Sequence, residues 1–208
     1  MPSWCKQLPP NFCKVSLNHA DDKIKNHFFY FPTVISPFLR IFASKFSMRI
    51  STMKTELILV GKTVNKHFAA GINDYVERIG HYMPFSVTTI PELKNTKKLS
   101  EEQQKTLEGE QILKLVQPSD TVVLLDEHGK ELRSMELAAW MEKKQFTARR
   151  LVFVIGGPYG FSPAVYERAD EKLSLSRMTF SHQMVRLIFT EQIYRACTII
   201  KGEPYHHE

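Results

Sequence analysis

The sequence predicts an α/β fold with a mainly parallel sheet covered by helices, and three observations carry that prediction. From Met53 onward, short apolar runs alternate with stretches of helical period. The run Arg150–Ile155 is apolar on successive residues, as in a strand covered on both faces, and is therefore expected to be central. It ends in Gly156-Gly157-Pro158-Tyr159-Gly160, a glycine turn at the carboxyl end of a strand, where sheets of this kind keep their functional crevice.

Taken in order, Thr55–Gly61 reads as the first strand, and Asn65–His81 as a helix with Phe68, Ile72, Tyr75, Val76 and Ile79 at helical spacing. Phe85–Ile90 alternates as a second strand, and Leu99–Leu115 is a polar helix rich in Glu, Lys and Gln. Pro118-Ser119-Asp120 turns the chain into a third strand, Thr121–Leu125, closed by Asp126. Ser134 is expected to cap a helix that runs to Lys144. Beyond the glycine turn, Ser162-Pro163 supplies an N-cap and a first-turn proline for a short helix, and Lys172–Leu175 is a last short strand. A long helix over Ser181–Ile200 sets Val185, Ile188, Phe189, Ile193, Ala196, Ile199 and Ile200 along a broad apolar stripe, with Arg186, Glu191 and Arg195 off it. A stripe wider than one sheet can cover suits a dimer face.

Residues 1–52 follow a different pattern. Pro9-Pro10 and Asp21-Asp22 interrupt any period, and the aromatic cluster Phe28-Phe29-Tyr30-Phe31 stops at Pro32. They are expected to be a leader outside the folded domain, either sequence upstream of a true start at Met53 or a disordered extension. The leader is basic and acid-poor, as transit peptides are, but lacks the charged, apolar, small order of a secretion signal.

Charge follows the same division. The formal net charge is +6, yet residues 1–52 hold seven Lys/Arg against two Asp/Glu, which leaves residues 53–208 close to neutral. If that part acts on RNA, it relies on a local basic patch, on shape and on a pre-assembled ribonucleoprotein rather than on a general positive field. Cys5, Cys13 and Cys197 are too few and too scattered for a disulfide framework or a zinc site, so no metal and a reducing, cytoplasmic setting are expected. No membrane association is expected either, since the richest apolar run, Phe28 to Phe46, is broken by Pro32, Pro37, Arg40 and Lys45.

Read alone, the chemistry-bearing segments each keep two meanings. The glycine turn fits neither the dinucleotide fingerprint nor the phosphate loop, and is either a ligand cradle or an ordinary tight turn. Leu173 to His182 interleaves small hydroxyls with apolar side chains, which suits an amphiphilic ligand or a plain strand and cap. Arg195 pairs with Glu191 at helical spacing or meets RNA phosphate. The ending Pro204-Tyr205-His206-His207-Glu208 is a frayed terminus, or a stacking surface with a proton acceptor.

Together, however, Val154-Ile155-Gly156-Gly157-Pro158-x-Gly160, Leu173-Ser174-Leu175-Ser176-x-Met178-Thr179-Phe180-x-His182, Val185-Arg186, Glu191-Gln192-x-Tyr194-Arg195-Ala196 and Pro204-Tyr205-His206 resemble the ribosomal large subunit methyltransferase H family of the SPOUT superfamily. The resemblance spans Met53 to Glu208 and touches no part of residues 1–52. It implies an α/β SPOUT-type knotted fold with a C-terminal trefoil knot, and a homodimer. The implied activity is methyl transfer from S-adenosyl-L-methionine to N3 of a pseudouridine in 23S rRNA of the assembled ribosome. By the same resemblance Leu125, Gly156, Leu175, Ser176, Arg177, Met178, Thr179 and Phe180 hold the cofactor. Arg195, Tyr205 and His206 serve catalysis, with the tail reaching the target base across the dimer and His206 accepting its proton.

Overall fold

The structure, a computed structural model, describes residues 53–93 and 98–205; the expectations for the leader and for His206 lie outside the described residues. The elements follow in the order β1 (Lys54–Val60), α1 (Lys66–Gly80), β2 (Phe85–Ile90), α2 (Glu101–Leu115), β3 (Thr121–Glu131), α3 (Ser134–Thr147), β4 (Arg150–Ile155), α4 (Pro163–Arg168), β5 (Glu171–Ser174) and α5 (Met184–Lys201). The five strands form one sheet in the order β2-β1-β4-β3-β5, and every pairing is parallel. β4 is the middle strand, as its unbroken apolar run predicts.

Because side chains alternate along a strand, β1 and β4 feed two cores at once. Leu57, Leu59, Phe153 and Ile155 point to one face, where Ile79 of α1, Met141 of α3 and Phe189 and Ile193 of α5 cover them. Ile58, Val60, Val152 and Val154 point to the other, beneath Ile112 of α2 and Val165 of α4. Phe153 and Phe189 meet edge to face with ring centroids 4.9 Å apart, which locks α5 onto the centre of the sheet. Among the described residues no helix is long and apolar enough to cross a membrane.

The structure departs from the sequence-based expectation in several places. Ser134 is the first residue of α3 rather than its cap; Arg133 is the cap, and its backbone N–H donates to the Glu136 carboxylate at 2.9 Å. α5 starts at Met184, later than expected, because the Ser181 hydroxyl accepts from the Met184 N–H and the Ser181 carbonyl from the Val185 N–H, closing a turn ahead of the helix. Arg186, placed off the apolar stripe by its spacing, is instead fully buried.

The third strand does not stop at Asp126. Its register against β5 shifts between Leu125 and Lys130, both of which pair with Leu173, so residues 126–129 bulge out and the strand resumes to Glu131. Gly129 makes the return possible: a Cβ there would sit 2.5 Å from the Leu173 carbonyl carbon.

At the amino end of the sheet, a charged network ties three strands and a turn. The Arg150 guanidinium donates to Glu56 at 2.7 Å and to Asp120 at 2.6 Å, while the Thr88 hydroxyl donates to the other Glu56 oxygen at 2.7 Å. Burial works to raise the Glu56 pKa, but the bonds from Thr88 and Arg150 and the Arg150 charge outweigh it and hold the carboxyl below its ordinary value.

Two outcomes follow from this architecture. Gly129→Ala is expected to lower unfolding free energy by about 1–3 kcal/mol through forced separation of β3 from β5, as read by urea denaturation. A folded pKa below the unfolded one means that Glu56 stabilises above the ordinary glutamate pKa of about 4.3 and loses that contribution as pH falls through the folded value. Glu56→Gln is therefore expected to cost about 1–3 kcal/mol at neutral pH, with the gap from the unaltered protein closing in acid; a gap constant with pH would contradict the assignment.

Candidate functional site

Parallel strands end on the same edge, and at the carboxyl ends of β3, β4 and β5 they leave a cavity of about 390 Å³, within the range of small-molecule sites. It is lined by Leu125, Ile155 and Leu173 from the strand ends, by Val185 from the first turn of α5, by the glycine turn and by the segment after β5. The sheet order thus brings the ends of three strands and the segments that follow them to one site.

The glycine turn closes on itself: the Gly160 N–H donates to the Gly157 carbonyl at 3.2 Å, and the two residues form an isolated bridge. Gly160 has φ of +81°, a left-handed conformation that side chains disfavour. The Glu108 carboxylate of α2 sits against Gly157, its pKa raised by burial and by the neighbouring charge of Glu92.

After β5 the chain shapes itself. The Ser174 hydroxyl donates to the Ser176 carbonyl at 3.0 Å, and the Ser176 hydroxyl accepts from the Met178 N–H at 3.0 Å. Two of the hydroxyls expected to meet a ligand therefore hold the loop in form. Leu175, Ser176, Met178, Thr179, Phe180 and His182 all line the cavity, as do Leu125 and Gly156. Arg177 does not: its side chain is 91% exposed and turned toward Glu131, Nε to Oε2 3.5 Å. Met178 and Phe180 expose apolar surface at the rim, as does Tyr159.

Several lining groups escaped the sequence reading. The β3 bulge puts Asp126, Glu127 and His128 on the wall, and α4 adds Tyr166. The Tyr166 hydroxyl donates to one Asp126 oxygen and the His128 backbone N–H to the other at 2.8 Å. Burial works to raise the Asp126 pKa, but these bonds dominate and keep it below the usual carboxylate value; Tyr166 is pushed up by burial and by Asp126. The wall thus carries an ionised carboxylate. Forty residues separate the bonded pair, so no local spacing signals it.

The remaining expected residues gather elsewhere. The Arg195 guanidinium pairs with Glu191 at 2.6 Å and lies over the Tyr205 ring at 5.0 Å; the Tyr205 hydroxyl donates to the same Glu191 oxygen at 3.2 Å. Tyr194 packs edge-on against Tyr205, and Tyr82 donates to Glu203 at 2.6 Å, so the tail is docked on α5 and on the turn after α1. Burial first, then Tyr75 and Glu191, push the Tyr205 pKa up to about 12. Arg195 and Tyr205 come together, yet neither lines the cavity of its own chain.

Comparison with known proteins agrees with this geometry. The family described as "Predicted SPOUT methyltransferase" matches residues 53–206. The chain is 65% identical to the ribosomal RNA large subunit methyltransferase H of Bacteroides fragilis and 64% identical to that of Phocaeicola vulgatus, each over 157 residues, 75% of this chain and 100% of the relative. The protein of the same name from Porphyromonas gingivalis is 57% identical over the same shares. A parallel sheet with its cavity at the carboxyl ends of β3, β4 and β5, and a family match covering all of the described residues, establish that the chain belongs to the SPOUT methyltransferase family.

Proposed function

We propose that the protein is an S-adenosyl-L-methionine-dependent rRNA methyltransferase that works in the cytoplasm as a homodimer and modifies N3 of a pseudouridine in 23S rRNA of the assembled ribosome. Residues 53–208 form the unit that does this, with a C-terminal trefoil knot. The observation that carries the reading is the convergence of Leu125, Gly156, Leu175, Ser176, Met178, Thr179 and Phe180 on one cavity, with Arg177 alone of the expected cofactor residues turned away. Those are the positions at which the family resemblance puts the cofactor.

The lining suits that cofactor. Leu125, Ile155, Leu173 and Val185 offer apolar walls for an adenine, and the ionised Asp126 suits a ligand that carries positive charge. Bound there, the cofactor supplies a methyl group made electrophilic by its sulfonium. The chain's own task is then to orient the base and take a proton, because an imide N3 is nucleophilic only once deprotonated. Tyr205, with its pKa pushed up to about 12, keeps its proton at neutral pH and serves as a donor or stacking surface. By the family resemblance His206 is the acceptor, and Arg195, paired with Glu191, positions RNA.

Arg195 and Tyr205 stand outside the cavity of their own chain, which favours a dimer in which one protomer's tail serves its partner's pocket. The near-neutral charge of residues 53–208 favours a ribonucleoprotein over naked RNA.

Tritium transfer from labelled S-adenosyl-L-methionine to methyl-deficient ribosomes, with free rRNA and tRNA in parallel, is expected to label N3 of a pseudouridine in intact ribosomes. Label in tRNA alone would keep the family and overturn the substrate; binding without transfer would make the chain a ribosome-binding factor. His206→Ala and the pocket-filling Gly156→Trp are each expected to lose transfer by on the order of a hundredfold or more. Mixing the two should restore activity in heterodimers that hold one intact tail and one intact pocket. No restoration would place both functions in one protomer.

A further inference from the structure

We propose that Gln183 and Arg186 are positioning residues for the cofactor pocket, clamping the entry of α5 to the β1–α1 loop so that the wall after β5 is held in its binding shape. The proposal rests on the cofactor reading of that pocket. Ser176, Met178, Thr179, Phe180, His182 and Val185 form the wall, and the hydrogen bonds that shape it are local, through the hydroxyls of Ser174, Ser176 and Ser181. Such a loop keeps its own curvature but not its place. The place is set where the wall runs into α5.

There the Gln183 side-chain oxygen accepts from the backbone N–H groups of Val64 and Asn65, both at 3.1 Å, and Asn65 in turn caps α1 by accepting from His67 at 2.9 Å and Phe68 at 3.3 Å. Three residues on, and so on the same side of the chain, Arg186 donates to the carbonyls of Val60 at 2.6 Å and Gly61 at 3.0 Å, and to the Thr63 hydroxyl at 3.0 Å. Five bonds thus fix residues 183–186 to residues 60–65. Arg186 is wholly buried, and its terminal nitrogens are committed to these acceptors while its Nε has no hydrogen-bond partner among the described residues. Leu187 presses on Gly71 of α1, where a Cβ would lie 2.9 Å from its methyl, which leaves α5 little room to slide.

The test separates positioning from plain stability. Gln183→Ala removes one end of the clamp without creating a buried hole, and is expected to weaken S-adenosylhomocysteine binding, measured by calorimetry on the full chain, by on the order of tenfold. Arg186→Met is expected to weaken it further, but Gln183→Ala decides the matter should that variant fail to fold. Arg150→Met serves as the comparison, because it destabilises the opposite end of the sheet and is expected to lower Tm while leaving affinity unchanged. Amide hydrogen exchange over residues 175–185 in ligand-free protein is expected to rise in Gln183→Ala and not in Arg150→Met, a readout independent of any ligand. Unchanged exchange in Gln183→Ala, or equal losses of affinity in both variants, would overturn the clamp. A parent protein that fails to bind S-adenosylhomocysteine would overturn the cofactor reading instead, with the exchange result still deciding whether the clamp exists.

Discussion

The carboxyl edge of the sheet depends on a guanidinium whose bonded partners are backbone carbonyls and a hydroxyl rather than carboxylates. At the end of β1 the chain leaves the ladder, and the carbonyls of Val60 and Gly61 need donors inside the core. Arg186 supplies them from α5. Burial pulls its pKa down and the charge of Glu92 opposes that, but an arginine stays protonated at any physiological pH. The charge is therefore permanent, and bonds of charged donors to neutral acceptors, worth about 1.5–3 kcal/mol each, hold together the strand end, the β1–α1 loop and the long helix.

With that corner fixed, a site forms because the sheet is parallel throughout. Each strand delivers its loop to the same edge, and the order β2-β1-β4-β3-β5 puts the ends of β3, β4 and β5 around one cavity. The bulge in β3 adds polar groups to a wall that two straight strands would have left apolar: Asp126 is turned toward Tyr166 of α4 and held ionised. Charge is thereby divided between the two ends of the sheet. The Arg150, Glu56 and Asp120 network fastens the amino end, while the carboxyl end keeps the Asp126 carboxylate on the cavity wall.

The tail belongs to neither end. Tyr82, Tyr194 and Tyr205 pack around Glu203, Glu191 and Arg195 away from the cavity lining, so the two chemistries that the proposed reaction needs, holding a methyl donor and handling a proton on RNA, reside at different places on one chain. The proposed homodimer would bring them together, although most of the apolar stripe of α5 packs into the chain's own core, with Phe189, Ile193 and Ala196 buried there.

Much of this was legible in the sequence because it is local. The unbroken Arg150–Ile155 run marks a strand buried on both faces, and the alternation of strand and helix periods is enough to predict a parallel sheet. Leu125, Gly156 and the segment from Leu175 to Phe180 were identified by family resemblance, and periodicity by itself assigned none of them. What only tertiary structure decided depends on contacts between distant residues. Hydrophobic spacing sets Arg186 off the core stripe, because spacing cannot register that carbonyls more than a hundred residues earlier need its donors. The continuation of β3 beyond Asp126 was hidden because Asp-Glu-His-Gly has turn composition, and only pairing with Leu173 reveals a bulge. Periodicity reports the face that a residue turns to its own element; register and packing decide what waits on the other side.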